Sequence, residues 1–220
     1  METCEKDVKK IDAKIVAWKV KTKTEEQPFV KNAQRPQDIV YVEAPKRPQE
    51  LECDIKKAKV HGESWTIFVG LLNGKPYEIF GGLSKYIDNL AKYKSGKIVK
   101  GKKVDGVSVY NLIIGEGEDE IVIKDIASVF ENTINGAFTR MISLSLRHGT
   151  PIQYMCEQLS KDKHSDMTSF SRVMSRVLKS YIKDGTKPIG KKCENCGEKG
   201  KLIYSQGCLS CSSCLHQKCD

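Results

Sequence analysis

Alternation of apolar and polar residues begins near Leu51 and predicts β-structure for the first part of the folded chain. The dipeptide Asn73-Gly74 is a strong hairpin signal, because both central residues of a type I′ turn need positive φ. His61-Gly62 marks a second turn, and the GEGED segment (115–119) marks a third. Strands are expected at 55–60, 64–72, 76–80, 106–114 and 120–124.

Apolar spacing of three and four residues then predicts helices, because it places these residues on one helical face. The helices are expected at 125–147, 150–159 and 168–183. In the first helix the predicted buried face includes Ile134 and Met141, and Gly149 closes the helix. Thr150 and Gln153 have the spacing of a capping box for the second helix.

Strands followed by helices are typical of an α+β domain, with an antiparallel sheet and helices packed on one face. The tail holds too few large apolar residues for a core of its own, so we expect a small Cys4 zinc ribbon there. The chain therefore divides into an N-terminal extension with one candidate strand at 38–42, an α+β domain, a linker that lets the tail move, and a zinc-ribbon redox tail. These segments are 1–46, 47–185, 186–192 and 193–220.

Composition narrows the class of protein. Apolar residues make up 39% of the 220 residues and charged residues 30%, which is typical of a globular domain. No stretch approaches the roughly 18 apolar residues of a membrane helix, and no apolar region follows the charged N-terminus as in a secretory signal. We therefore expect a cytoplasmic protein without a membrane partner, in which thiols stay reduced.

The net charge is +9, from 37 basic and 28 acidic residues. A basic balance is compatible with nucleic acid or phosphate-bearing partners. The excess is thinly spread and interleaved with acidic residues, however, so nucleic acid is not the expected partner.

Six of the nine cysteines fall within the last 28 residues, in the order C193-x2-C196-x11-C208-x2-C211-x2-C214-x4-C219. Two CxxC turns can direct four thiolates at one tetrahedral zinc ion, and the metal would supply the folding free energy that this tail lacks.

A zinc ion takes four of these six thiols, which leaves two partitions open. In the preferred one, Cys193, Cys196, Cys211 and Cys214 bind zinc, and Cys208 and Cys219 remain as a redox pair. This choice leaves more room for the hairpin around LIYSQG. In the other partition, Cys208 replaces Cys214 as a ligand. Either way an accessible dithiol lies beside the metal and can exchange with a partner disulfide; Lys218 beside Cys219 favours its thiolate.

Other residue patterns have simpler interpretations. Cys156 lies on the apolar face of its helix and is expected to be a buried hydrophobe. Arg140 and Arg147 share a helix face that could hold a phosphate or carboxylate, although solvated or paired arginines are commoner. His216 could substitute as a zinc ligand. No nucleotide-binding glycine motif, catalytic triad or paired-carboxylate motif is present in the sequence, so the chain is not expected to be an enzyme on its own.

Four segments resemble the C-terminal region of adenosylcobalamin-dependent (class II) ribonucleotide reductases, which contains a TSCPD domain followed by a cysteine-rich zinc tail. The segments are RPQELECDI (47–55), GKPYEIFGG (74–82), TRMISLSLRHGTPIQYMCEQL (139–159) and GCLSCSSCLHQKC (207–219). The catalytic barrel of that family, with its radical cysteine and cobalamin site, has no counterpart here. Leu215 also stands where the second zinc knuckle of that family, meaning its second CxxC turn, usually has glycine.

The resemblance implies a small subunit, or separate C-terminal portion, of a B12-dependent reductase. Its tail pair, Cys208 and Cys219, would re-reduce the active-site disulfide of a separate barrel chain that carries adenosylcobalamin. A thioredoxin-like reductant would then regenerate the pair. The alternative is a non-enzymatic zinc-ribbon module that binds nucleic acid or a regulatory protein.

Overall fold

The computed structural model describes residues 42–219 except 88, 89, 91, 131, 132, 162–165 and 199. The strand predicted at 38–42 lies outside the described residues apart from Val42, which is in no strand. The described strands are β1 (Glu50–Val60), β2 (Glu63–Leu72), β3 (Lys75–Leu83), β4 (Ser95–Lys100), β5 (Tyr110–Ile114), β6 (Ile121–Ile123), β7 (Leu202–Ser205), β8 (Cys208–Cys211) and β9 (Gln217–Lys218). The described helices are α1 (Ile126–Val129), α2 (Thr133–Arg147), α3 (Ile152–Leu159) and α4 (Phe170–Lys179), with 3₁₀ turns at Ser84–Tyr86 and Gly117–Asp119.

The first six strands form one antiparallel sheet in the order β3-β2-β1-β4-β5-β6. The predicted turn at Asn73-Gly74 is confirmed, with φ of 52° and 73°. β1 begins five residues earlier than predicted, at Glu50, since Leu51 and Cys53 continue the buried alternation and pair with β4. The α+β class with an antiparallel sheet is confirmed.

Both faces of the sheet are buried. Successive side chains of a strand point to opposite faces, and each face packs in its own apolar cluster. On one face Ile67 and Val69 of β2 belong to a cluster with residues of α2, α3 and α4. On the other face Phe68 packs in a cluster with Ile98 and with Ile126 of α1. The three longer helices therefore lie on one face, and the short helix α1 contributes to the other.

Helix α2 covers the free edge of β3 through one hydroxyl group. The backbone N–H of Ile79 donates to Ser143 Oγ (2.9 Å), and this hydroxyl lies 3.3 Å from the Ile79 carbonyl and 2.8 Å from that of Thr139. An uncovered strand edge is a template for unwanted pairing. The buried side of α2 therefore combines the small polar residues Thr139 and Ser143, which lie at the strand edge, with Ile142, which packs in the apolar cluster.

This edge packing corrects the helix predicted at 125–147. The segment is two helices, α1 and α2, separated at Phe130. The Phe130 ring occupies the space beside Gly82, where a Cβ atom would lie 2.1 Å from the ring. Ile134 and Met141, predicted to be buried, are 79% and 61% exposed, because Thr139, Ile142 and Ser143 occupy the inner face.

The predicted capping box of the second helix is also wrong. Pro151 is the N-cap residue of α3, and no side chain caps that helix. The Thr150 N–H instead donates to the Ser145 carbonyl at the end of α2, next to Gly149 with φ of 74°. Thr150 thus ends one helix and does not begin the next.

The tail forms a separate three-stranded antiparallel sheet, β7-β8-β9. Its first hairpin turns at Gln206-Gly207, where both φ angles are positive. Among the described helices of the whole chain, none is long and apolar enough to cross a lipid bilayer.

Candidate metal centre and adjacent disulfide

Two short turns with the same hydrogen bond present the cysteines of the tail. In the first, the Gly197 N–H donates to the Cys193 carbonyl (2.9 Å), and in the second the Leu215 N–H donates to the Cys211 carbonyl (2.9 Å). Gly197 and Leu215 have φ of 71° and 58°. Leu215 therefore adopts the left-handed conformation that glycine adopts without strain, and it does so with its side chain 85% exposed.

The two turns bring four sulfur atoms together. Single ligand atoms of Cys193, Cys196, Cys211 and Cys214 lie within 4.8 Å of one another. The Sγ atoms of Cys193 and Cys214 are 3.6 Å apart, and those of Cys196 and Cys211 are 3.7 Å apart. A tetrahedral zinc ion with Zn–S bonds of about 2.3 Å needs sulfur separations of about 3.8 Å. The four cysteines thus form a possible metal site that is compatible with zinc.

Burial favours two of these thiols as metal ligands, and hydrogen bonding favours a third. Cys193 and Cys211 are 1% and 2% exposed and pack with Leu202. Hydrogen bonds from the Asn195 side chain and the His216 backbone lower the pKa of the Cys214 thiol to about 6. Metal binding requires thiolates, so these groups help to prepare the site.

The other two tail cysteines lie outside this cluster and are joined to each other. Cys208 and Cys219 form a disulfide with a Cα–Cα distance of 4.5 Å. They extend the β8–β9 ladder by one position beyond the Leu209–Lys218 pair. Lys218 Nζ lies 2.8 Å from both carboxylate oxygens of Glu194. Lys218 therefore forms an ion pair with a residue of the first cysteine turn, which weakens its electrostatic effect on Cys219.

The predicted linker 186–192 is attached to the α+β domain. The Ile189 N–H donates to Gln153 Oε1 (2.8 Å), and Gln153 Nε2 donates to the Lys187 carbonyl (3.2 Å). Tyr204 of β7 exchanges backbone hydrogen bonds of 2.8 Å with Gly185 and Thr186. In this structure the ribbon is therefore held beside α3 and the end of α4.

The remaining predicted residues are placed as follows. Cys156 is buried at 2% exposure, as expected for a small hydrophobe. The metal cluster found among the described residues does not include His216. Arg147 lies 3.1 Å from the fully buried Glu78 carboxylate, whereas Arg140 is exposed on the same helix.

Two polar groups of the structure are not among the residues predicted from the sequence. Asn195, between two candidate ligands, assists Cys214, and its position inside the first CxxC turn was the available signal. Glu78 is the second: its carboxylate is enclosed by Arg47 (2.6 Å) and Arg147 (3.1 Å). A charged residue inside a predicted strand was the signal for it.

Residues 51–183 match the family model described as the NrdJ homologue C-terminal domain. Searches of curated proteins and of solved structures returned no significant match. The matched segment runs from the second residue of β1 through β6 and the four described helices, and it ends ten residues before Cys193. This chain therefore belongs to the NrdJ homologue C-terminal domain family, which relates it to B12-dependent ribonucleotide reductase.

Proposed function

We propose that this protein delivers electrons to a separate catalytic chain of an adenosylcobalamin-dependent ribonucleotide reductase. The observation that carries the proposal is the division of the tail cysteines into two sets. Four thiols converge in a metal-type cluster, and Cys208 and Cys219 form a disulfide outside it. A structural metal and an exchangeable dithiol on one ribbon suit an electron carrier.

In this proposal zinc binds Cys193, Cys196, Cys211 and Cys214 and has a structural role. The ribbon contributes few buried apolar residues, chiefly Leu202 and Tyr204, so metal binding would supply much of its folding free energy. A four-thiolate site leaves no open position for substrate. The zinc ion therefore orients the strands that carry the redox pair.

The redox step is thiol–disulfide exchange. In the reduced tail, one thiolate of the pair attacks a sulfur of the partner's active-site disulfide and forms a mixed disulfide. The second thiolate attacks the tail sulfur of that bond, which releases two thiols on the partner and leaves the Cys208–Cys219 disulfide. Two electrons pass to the partner, and the two protons follow. A thioredoxin-like dithiol protein reverses the same exchange and restores the tail.

The radical chemistry belongs to the partner chain, which binds adenosylcobalamin and the ribonucleotide. The α+β domain is the platform that holds the ribbon, through the Gln153 and Tyr204 contacts. These contacts hold the Cys208–Cys219 disulfide close to the α+β domain. If the active site of the partner lies in a deep cleft, the contacts must break before the pair can reach it.

Turnover with reconstituted components tests the proposal. The reduced chain is mixed with the adenosylcobalamin-binding reductase chain of the same organism, ribonucleotide, thioredoxin, thioredoxin reductase and NADPH. Cys208→Ser and Cys219→Ser should each keep zinc and stop multiple turnover. Cys156→Ser is the matched control and should keep turnover, since that thiol is buried in the α+β domain. Equal multiple turnover without this chain would contradict the proposal.

The alternative, a zinc ribbon that binds nucleic acid, has one supporting observation. A cavity of about 300 Å³ beside the ribbon is lined by Lys179, Lys191, Lys192 and Lys218. Binding of duplex DNA that persists at 150 mM salt, with a steep dependence on salt concentration, would favour this alternative. We place it second, because it gives the Cys208–Cys219 pair no role.

A further inference from the structure

A cavity of about 440 Å³ lies where α2 covers the edge of β3, and its described lining residues fall between Ile79 and Arg147, outside the cysteine-rich tail. The rings of Phe80, Tyr110 and Phe130 line it, together with Met141 and Leu144 of α2. Met141 and Leu144 are 61% and 47% exposed. The volume and the predominantly apolar lining are those of a small-molecule site, and the proposed electron transfer makes no use of it.

Among the lining residues that the structure describes, the charged ones are Arg140 and Arg147, and none is acidic. Arg140 forms no ion pair with any residue that the structure describes. Arg147 directs Nη2 to Glu78, while its buried Nε has no hydrogen-bond partner among the described residues.

The buried carboxylate of Glu78 does not cancel this positive charge. Glu78 already receives hydrogen bonds of 2.6 to 3.2 Å from Arg47 on its other side. One carboxylate thus faces two guanidinium groups, and Arg140 adds a third positive charge at the exposed rim. Guanidinium groups bind carboxylates and phosphates through paired hydrogen bonds.

We propose that this cavity binds a small organic anion. Its aromatic or aliphatic body would lie against Phe80, Tyr110 and Phe130, and its carboxylate or phosphate group would bind Arg140. This inference is independent of the electron-transfer proposal, and its experiment uses the protein without any partner chain.

Two dyes with the same aromatic body test the need for a negative charge. 8-Anilinonaphthalene-1-sulfonate carries a sulfonate, and N-phenyl-1-naphthylamine lacks it. The zinc-loaded chain should bind one sulfonated dye and bind it at least tenfold more tightly than the neutral dye. Arg140→Gln should weaken binding of the sulfonated dye at least fivefold and leave the neutral dye unchanged. Arg176→Gln, on α4 and away from this cavity, is the matched control and should change neither.

Gly136→Leu tests the location. A Cβ atom at Gly136 would meet, among the described residues, only Arg140 Nη1, at 3.5 Å, and Gly136 lines the cavity, so a larger side chain there should fill part of it. Leucine is also a better helix former than glycine. The variant should unfold at an equal or higher temperature and lose dye binding. Unchanged dye affinity in this variant or in Arg140→Gln would overturn the proposal.

Competition identifies the anionic group. Adenosine 5′-monophosphate represents a phosphate on an aromatic body, and 3-phenylpropionate represents a carboxylate on one. Displacement of the dye by one competitor and not by the other assigns the class of ligand. If neither displaces the dye at 10 mM, the proposed chemistry of the site is wrong.

Discussion

Gly197 and Leu215 occupy equivalent positions in the two cysteine knuckles. Each follows the first cysteine of its turn by four residues, donates its N–H to that cysteine's carbonyl at 2.9 Å, and has a left-handed backbone. Glycine adopts this conformation without strain, whereas a residue with a Cβ atom does so at a cost of about 1 to 3 kcal/mol. The second knuckle is therefore strained and the first is not.

Leu215→Gly should stabilise the metal site for this reason. The side chain is 85% exposed, so its removal loses little packing. After the larger backbone entropy of glycine in the unfolded chain is allowed for, we expect a gain of about 1 kcal/mol. Zinc affinity, measured by competition with a chromophoric chelator, should rise about fivefold. Gly197→Ala is the matched opposite change and should weaken zinc binding by a similar factor; an effect of equal sign in both variants would contradict this explanation.

The metal itself gives a second prediction. Purified, reduced protein should contain one zinc ion per chain by elemental analysis, and Cys214→Ser should lose it, because three thiolates do not complete a closed structural site. Cys208→Ser should retain it. Stoichiometric zinc in Cys214→Ser together with loss in Cys208→Ser would instead assign Cys208 to the metal and leave Cys214 and Cys219 as the dithiol.

Zinc binding and oxidation of the Cys208–Cys219 pair should also be coupled. The Cys208–Cys219 bond encloses Cys211 and Cys214, two of the four candidate ligands. Closing this loop removes conformations of the second knuckle before the metal binds, so we expect the disulfide form to bind zinc about tenfold more tightly.

Thermodynamic linkage requires zinc to stabilise the disulfide by the same free energy by which the disulfide stabilises zinc binding. A tenfold difference in zinc affinity must therefore lower the reduction potential of the disulfide by about 30 mV when zinc is bound. Chelator competition measures the first quantity, and equilibration in dithiothreitol buffers with and without zinc measures the second. The double variant with Cys208→Ser and Cys219→Ser should show a zinc affinity that is independent of the redox buffer. Equal affinity of the oxidised and reduced wild-type tails would refute the coupling.

Local patterns in the sequence were sufficient to predict the turns of the sheet and the two cysteine turns of the tail. Asn73-Gly74 and the CxxC spacings involve neighbours in the chain, and their geometry follows from backbone conformation alone. Which second-knuckle cysteine joins Cys193 and Cys196 did not follow, because glycine is missing at Leu215. The backbone there adopts the glycine-like conformation nevertheless, which no rule of composition indicates.

The exposed face of α2 could not be predicted for a different reason. Its apolar positions fit one buried stripe, but only part of that stripe, including Ile142, packs in the core. The rest of the inner face covers a strand edge, where the Ile79 N–H donates to the Ser143 hydroxyl. Pairing of Arg47 with Glu78 joins residues 31 positions apart. Such contacts depend on the tertiary arrangement of the strands, which periodicity does not specify.

Stability should fall in alkali because of a buried thiol. Burial raises the pKa of Cys53 far above its usual value, and the charges of Asp54 and Glu78 raise it further. The folded chain then keeps a proton that the unfolded chain loses above about pH 8.5. The contribution of Cys53 to the free energy of unfolding is therefore fully present below that pH. Above it, the free energy of unfolding decreases by up to about 1.4 kcal/mol per pH unit. Urea unfolding of the zinc-loaded protein between pH 9 and 11 should show a shallower slope for Cys53→Ala. An unchanged slope would contradict the assignment.

The enclosed carboxylate of Glu78 gives the last prediction. Arg47 approaches it with Nε and Nη2 and is itself 8% exposed, whereas Arg147 contributes one contact and is 29% exposed. Removing one partner of a buried ion pair typically costs about 3 to 5 kcal/mol, since the remaining charge is left uncompensated. Because Arg147 remains, we expect Arg47→Met to cost about 3 kcal/mol and Arg147→Met about 1 kcal/mol, measured by urea unfolding.

A double variant distinguishes the loss of Arg47 packing from the cost of leaving the Glu78 carboxylate without its counterion. If the uncompensated carboxylate is the main cost, Arg47→Met combined with Glu78→Met should be more stable than Arg47→Met alone, because the second change removes the buried charge. If the Arg47 contacts with the Ile98 carbonyl and the Tyr110 ring (5.2 Å) dominate instead, the second substitution will add its own destabilisation. The sign of that difference therefore decides whether Arg47 acts mainly as a counterion or as a packing residue.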